Sequence, residues 1–217
     1  MPECAVGTHT GRVAVVGGGH TAATAAWRVI RHGGRVDLFA PDGLRVSKTD
    51  VEPGWFGPKY LDGFAASTPA VRLARLRDAR RGTTTPQLAA WLRARIPPGL
   101  LRVVPARVHG IERGPGGTWV HADGRHGPYE QAYEALGYAV DVARLGWLVP
   151  HVGRRRGRLP ILDRHLQTAP GLHLLGPLAE LELGPAGRNL WGAQRAVERL
   201  TAAVAEDPNP SEMKEQR

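Results

Sequence analysis

The stretch RVAVVGGGHTAATAAWRVIRHGGRVDLFA, residues 12–40, decides the fold of this chain. RVAVV (Arg12–Val16) is short, apolar and β-branched, the pattern of a buried strand, and three glycines follow it at once. TAATAAWRVIR (Thr21–Arg31) holds no helix breaker and is dominated by alanine, the residue that costs least in a helix. Gly33 and Gly34 stop that helix, and RVDLFA (Arg35–Ala40) reads as a second strand. Strand, turn, helix, stop and strand within about 30 residues predict a βαβ unit. Its two strands run parallel, because the helix carries the chain back to the starting edge.

The turn itself fits the pattern GxGxxA, with Gly17 and Gly19 in the glycine slots, Gly18, His20 and Thr21 between them, and Ala22 in the third. Each position has a physical reason: Gly17 permits the tight turn, Gly19 lets a pyrophosphate approach the backbone, and Ala22 lets helix and strand pack closely. Any positive φ at Gly19 would further exclude a branched side chain. Phosphates would then meet free N–H groups and the positive end of the helix dipole. A glycine pattern alone is weak, and the strand before it and the helix after it supply the confirming context. The competing reading is a turn that serves structure only.

The choice of dinucleotide rests on the end of the second strand, where a carboxylate commonly holds the adenosine ribose for NAD. That tip is Phe39-Ala40-Pro41, with Asp42 late and Arg45 and Lys48 beyond it. A missing acid with bases nearby favours a 2′-phosphate, hence NADP. The alternative is that Arg45 and Lys48 are ordinary loop charges.

Working outward, residues 41–86 form a stretch too long for a simple loop, with a helical section near Ala70–Arg80, and read as an insertion with a task of its own. PQLAAWLRARI (Pro86–Ile96) opens with proline at the first helical position and repeats apolar residues at helical spacing. LRVVPARVHGIER, TWVHAD and YEQAYEAL are expected to form a small antiparallel meander returning to the sheet, LHLLG (Leu172–Gly176) a buried strand, and Ala186–Glu206 the last helix. The expected organisation is a disordered lead over residues 1–11, a Rossmann-like nucleotide-binding domain over 12–140 that contains the insertion 41–86, a further part over 141–206 and a disordered tail over 207–217.

Composition narrows the function classes. With 217 residues and 42% hydrophobic content the chain is long and apolar enough for a packed core. No run of 18 apolar residues is present and MPECAVGTHTGRV holds no signal segment, so no membrane association is expected and the cytoplasm is the expected compartment. Cys4 is the single cysteine, which removes disulfides and cysteine-based zinc, and is expected to be inert. The nine histidines show no ligand spacing, so no metal is expected, and there is no GxSxG elbow. The net charge is +9, yet the densest cluster, Arg154–Arg156 with Arg158, lacks interleaved aromatics and reads as a solvated loop rather than a nucleic-acid surface. Trp55, Phe56, Trp91, Trp147 and Trp191 read as packing residues, although Trp55 and Tyr60 lie where an insertion could cover a nicotinamide.

GGGHTAATAA (Gly17–Ala26), followed by DVEPGWFGPKYLDGF (Asp50–Phe64), resembles the NADPH domain of flavin-dependent N-hydroxylating monooxygenases, the lysine and ornithine hydroxylases. That family has a GGGxSA turn, an F-x-P-x-Y stretch matched by Phe56, Pro58 and Tyr60, and an ATGY strand end matched by Ala135-Leu136-Gly137-Tyr138. Its flavin-side ending resembles LHLLGPLAELELGPAGRNLWGAQRAVERL (Leu172–Leu200). The resemblance implies an α/β fold with a Rossmann-like NAD(P)-binding domain, a parallel sheet, a small meander and a C-terminal flavoprotein-type helix. It makes residues 141–206 a remnant of the C-terminal part of an FAD domain and adds Gly137, Gly176, Gly187 and Asn189 to the cofactor-binding residues, the last helix facing the flavin ring and stabilising negative charge there. The alternative is that Arg188 and Asn189 only cap a structural helix.

The departures are Leu136 in place of threonine, Pro177 after Gly176, and only residues 1–11 ahead of the first strand. An FAD adenylate site is therefore expected to be missing. The implied activity is NADPH-dependent, with FAD bound incompletely or supplied by a partner chain. A non-catalytic nucleotide-binding protein is the alternative.

Overall fold

The structure is a computed structural model and describes residues 7–49, 51–80 and 82–206. The expectations for Cys4 and for the tail over 207–217 lie outside the described residues. The chain divides into two compact units, one of residues 1–50 and 81–138, the other of residues 51–80 and 139–217. Most of the 41–86 stretch thus groups with the C-terminal part of the chain rather than with the glycine turn.

In the first unit, β1 (Arg12–Val16), β2 (Arg35–Phe39), β3 (Leu101–Val104) and β7 (Gln131–Glu134) form a parallel sheet in the order β3-β2-β1-β7. The helix α1 (His20–Arg31) joins β1 to β2, as the 12–40 stretch predicts. Alternation along the strands gives the sheet two apolar faces. Val13, Val15, Val36, Leu38 and Leu101 share a core with Ala22, Ala23, Ala26 and Val29 of α1 and Leu92 of α4 (Pro86–Arg93). Ala14, Val16, Phe39 and Val104 share the other with Val120 and Tyr129. These belong to an antiparallel meander, β4 (Gly110–Gly114), β5 (Gly117–His121) and β6 (Arg125–Tyr129). α1 keeps Arg28 and Arg31 in its last turn, where they complement its dipole.

Two expected meander strands belong elsewhere. LRVV is the edge strand β3 of the parallel sheet, and Pro105, which lacks an N–H, separates it from the meander. YEQAYEAL divides at Glu130, whose N–H donates to Arg12 O (2.8 Å), so that Gln131–Glu134 pairs with β1 while Tyr129 ends β6. Within the lead, His9 lies between Glu130 (Nδ1 to Oε1, 2.7 Å) and Tyr133 (Nε2 to OH, 2.6 Å), and Gly11 N–H donates to Glu130 (3.0 Å).

The second unit contains α2 (Pro58–Ala65), α3 (Pro69–Ala79), the two-stranded pairs β8–β9 (Arg155–Arg156, Leu159–Pro160) and β10–β11 (Gln167–Ala169, Leu172–His173), α5 (Glu180–Leu183) and α6 (Leu190–Glu206). Arg72 of α3 ties it together by donating to the carbonyls of Phe64, Ser67 and Leu181 (3.1, 3.0 and 2.9 Å) while pairing with Glu182. The carbonyls ending α2 have no partner within their own helix, so this guanidinium acts as their cap. LHLLG yields a strand of only Leu172–His173, half-buried, and α6 begins at Leu190 because Pro185–Arg188 forms a separate 3-10 turn. Trp55 is buried edge-on to Tyr60 and Phe64, whereas Trp147, expected to pack, is 78% exposed.

Candidate functional site

The glycine turn is built as the residues dictate. Gly17 adopts φ +136°, donates its N–H to Phe39 O (2.9 Å), and would place a Cβ 2.3 Å from the carbonyl oxygen of Ala135. Only glycine fits there. Gly18 is tight as well, since its Cβ would lie 3.3 Å from Gly43 O. Gly19 caps α1 with φ −94° and ψ −176°, an ordinary extended conformation, so the expected handedness reason does not apply to it. Room is the remaining reason: a Cβ on Gly19 meets only Gly82 Cα, at 3.6 Å. His20 and Thr21 open the helix, Ala22 is buried against the sheet, and no side chain caps the first turn, which also holds no acid. The N–H groups there have no partner within the helix and form the positive end of its dipole.

Sequence reading missed the segment beside this turn. Gly82 packs its backbone on Gly19, and its own Cβ would lie 3.1 Å from Gly19 Cα. Thr84 N–H donates to Arg45 O (2.9 Å), Thr84 O accepts from Ser47 N–H (3.0 Å), and Thr84 Oγ1 lies 3.4 Å from His20 Nδ1. The only hint in the sequence is a glycine between two arginines and three threonines. The loop bearing Arg45 and Lys48 is thereby tied to the turn. Arg45 itself pairs with Asp42 at 3.0 Å, and Lys48 is exposed. Gly137 follows β7 at φ +81° with open space around it, and its neighbour Leu136 is 70% exposed.

The one acid on β2 is not available to a ribose. Asp37 sits in the middle of the strand, and its carboxylate accepts from Arg12 (2.5 Å), Tyr129 OH (2.7 Å) and Arg102 (2.5 and 3.1 Å). Burial pushes its pKa up and is the largest single effect. The hydrogen bonds from Arg102 and Tyr129, with the charges of Arg12 and Arg102, together outweigh it and hold Asp37 below its ordinary 3.8. Tyr129 is pushed up, by burial first and by Asp37 second. A depressed carboxylate contributes stability above its unfolded pKa and loses it as pH falls through the folded value. Asp37→Asn is therefore expected to cost about 2–3 kcal/mol at pH 7, below the usual figure for a broken buried pair because both arginines are half-exposed. Urea denaturation at pH 7 and pH 3 checks this, the difference between variant and parent shrinking below pH 3.8.

The remaining expected residues lie in the second unit. Gly176 (φ +60°) opens a 3-10 turn with nothing near its Cβ position. Gly187 is there for packing, its Cβ position being 3.1 Å from Leu183 Cβ, and Asn189 caps α6 by accepting from Gly192 N–H (3.1 Å). Arg188 donates to the fully buried Glu180 (2.6 Å), which also pairs with Arg80. Asn189→Ala is expected to cost about 1 kcal/mol, the usual worth of such a cap, as a lower thermal midpoint. Among the described residues no group of histidine, cysteine and carboxylate side chains could hold a metal, and no helix is long and apolar enough to cross a membrane.

No family model matches the sequence, and no curated protein does. Solved structures do share its fold. The reduced form of an ornithine hydroxylase from Pseudomonas aeruginosa matches 90% of this chain and 52% of its own at 16% identity, with a TM-score of 0.70. An ornithine N-hydroxylase from Kutzneria sp. 744, solved with reduced FAD, NADP+ and L-ornithine, matches 90% and 54% at 22% identity, with a TM-score of 0.70. L-lysine 6-monooxygenase from Pseudomonas syringae matches 93% and 55% at 19% identity, with a TM-score of 0.68. The chain thus has the α/β architecture found in flavin-dependent N-monooxygenases and spans about half the length of these neighbours.

Proposed function

We propose that this chain is a nicotinamide-dinucleotide-binding portion of a flavin-dependent N-hydroxylating monooxygenase, with the pyrophosphate seated at the N-terminus of α1. The glycine turn supports this reading most: Gly17 has no room for a side chain, and the first helical turn is uncapped and free of acids. A pyrophosphate fits such a seat, with the N–H groups of His20 and Thr21 donating and Gly19 allowing the approach. The Gly82 backbone lies on that approach and must yield to the ligand. Arg45 would leave Asp42 for a 2′-phosphate, with Lys48 beside it, which makes NADPH the preferred nucleotide. Once bound in a complete enzyme, NADPH would supply hydride to FAD for the oxygen-dependent hydroxylation of an amine.

Calorimetric titration tests the nucleotide choice. NADPH is expected to bind at least about tenfold more tightly than NADH, a difference of about 1.4 kcal/mol. Arg45→Ala should bring the two within about twofold. Equal affinities in the parent protein would remove the NADPH reading.

A second reading, nucleotide binding without flavin chemistry, draws on Gly187 and Asn189, which packing and capping already account for. In either case residues 1–217 by themselves are expected not to oxidise NADPH at an enzymatic rate with FAD added. Hydride transfer needs the two rings about 3–3.5 Å apart in fixed orientation, and weakly anchored FAD would not hold it. If a polypeptide bearing a first glycine turn restores oxidation, the reading as one subunit of a divided enzyme gains. FAD-dependent loss of NADPH absorbance with this chain alone would contradict the expectation.

A further inference from the structure

The amino-terminal edge of the parallel sheet, opposite the glycine turn, concentrates positive charge in a way the fold itself does not require. Arg12 and Arg35 are register partners on neighbouring strands, so their side chains leave the same face of the sheet side by side. Like charges so placed repel. Asp37 and Arg102 are partners one pleat further along that face. The Asp37 carboxylate is saturated by Arg12, Arg102 and Tyr129, and among the described residues the Arg35 guanidinium has neither a hydrogen bond nor an ion pair. Three guanidiniums and one carboxylate leave two positive charges uncompensated. Arg12, Arg35, Asp37 and Arg102 line an open cavity of about 630 Å³, whose remaining wall is Val36, Ile96, Gly99, Leu101 and Val103.

We propose that this cavity is an oxyanion site for the phosphoryl group of a small phosphate monoester. Arg35 is the principal donor, and the outward N–H groups of Arg12 and Arg102 complete the set. Guanidinium is the donor best matched to phosphate, because its planar fork gives two parallel charge-assisted hydrogen bonds. Carbon atoms of the ester would rest on the apolar wall of the cavity at Ile96. A five-residue strand separates this edge from the glycine turn by about 16 Å, so the two sites take separate ligands. The proposal does not rest on nucleotide binding at α1.

The test is calorimetric titration of the full chain with inorganic phosphate and, separately, with glycerol 3-phosphate, at low salt. Both are expected to bind saturably at one site per chain, the monoester at least as tightly. Arg35→Ala should weaken both at least about tenfold, and Arg35→Gln should do the same, since neither disturbs the Asp37 network. Gly19→Val should leave both isotherms unchanged. Absence of saturable heat, or unchanged affinity in the Arg35 variants, would overturn the site. Phosphate binding lost in Gly19→Val but kept in Arg35→Ala would place the anion at α1 and overturn it too. Saturation by phosphate with none by glycerol 3-phosphate would overturn the monoester assignment.

Discussion

Gly19→Val is expected to lower NADPH affinity at least about 100-fold while moving the thermal midpoint by only a few degrees. The folded state tolerates the change because φ −94° with ψ −176° is backbone that valine adopts readily in strands. Its Cβ would meet nothing nearer than Gly82 Cα at 3.6 Å. The bound state does not tolerate it, since the branched side chain occupies the space through which phosphate oxygens reach the first-turn N–H groups. A factor of 100 corresponds to about 2.7 kcal/mol, the worth of one or two hydrogen bonds to a charged group. Titration and thermal unfolding of the same sample check both halves. Unchanged affinity would make the turn purely structural.

Gly17→Ala should act in the opposite way, on folding rather than on binding alone. An alanine there must hold φ +136° and place its Cβ 2.3 Å from the Ala135 carbonyl oxygen, which belongs to the backbone and cannot swing aside. Backbone strain and overpacking each cost about 1–3 kcal/mol, so a loss of about 3–5 kcal/mol is expected. In a chain of this size that lowers the midpoint by about 10 °C or more, with poor soluble yield. A variant as stable as the parent would show that the β1–α1 turn can relax in a way the Ala135 contact forbids. The contrast between neighbouring glycines separates positions kept for the fold from positions kept for a ligand.

The βαβ unit was legible because its information is local: Val-rich strands, alanine in α1 and glycines at both ends act within a few residues of themselves. The meander was read less well, because LRVV and QAYE are apolar runs whose partners, β2 and β1, are set by the whole sheet. Long-range pairing leaves little trace in a short run of residues. The same limit explains the site. Gly17 and Ala22 declare themselves by spacing, but Gly82 comes to lie on Gly19 from sixty residues away only through the bridge between Val46 and Thr84. Asp42, dismissed as late for a ribose, is the partner of Arg45, and no spacing rule shows that an arginine counted toward a 2′-phosphate already holds a carboxylate. Asn189 carries two readings in the sequence, and the structure adds one contact to them, a cap on Gly192 N–H that spacing alone does not show.

The central claim is that a nicotinamide dinucleotide binds at the glycine turn, and amide chemical-shift mapping of the labelled chain during NADPH titration tests it most directly. Saturable shifts are expected at Gly18, Gly19, His20 and Thr21, where the phosphates would accept hydrogen bonds. Gly82 and Thr84 should shift with the same midpoint, because their segment must yield as the pyrophosphate enters. Saturation with all of these amides unmoved, or with shifts confined to Arg12, Arg35 and Arg102 at the opposite edge of the sheet, would contradict it.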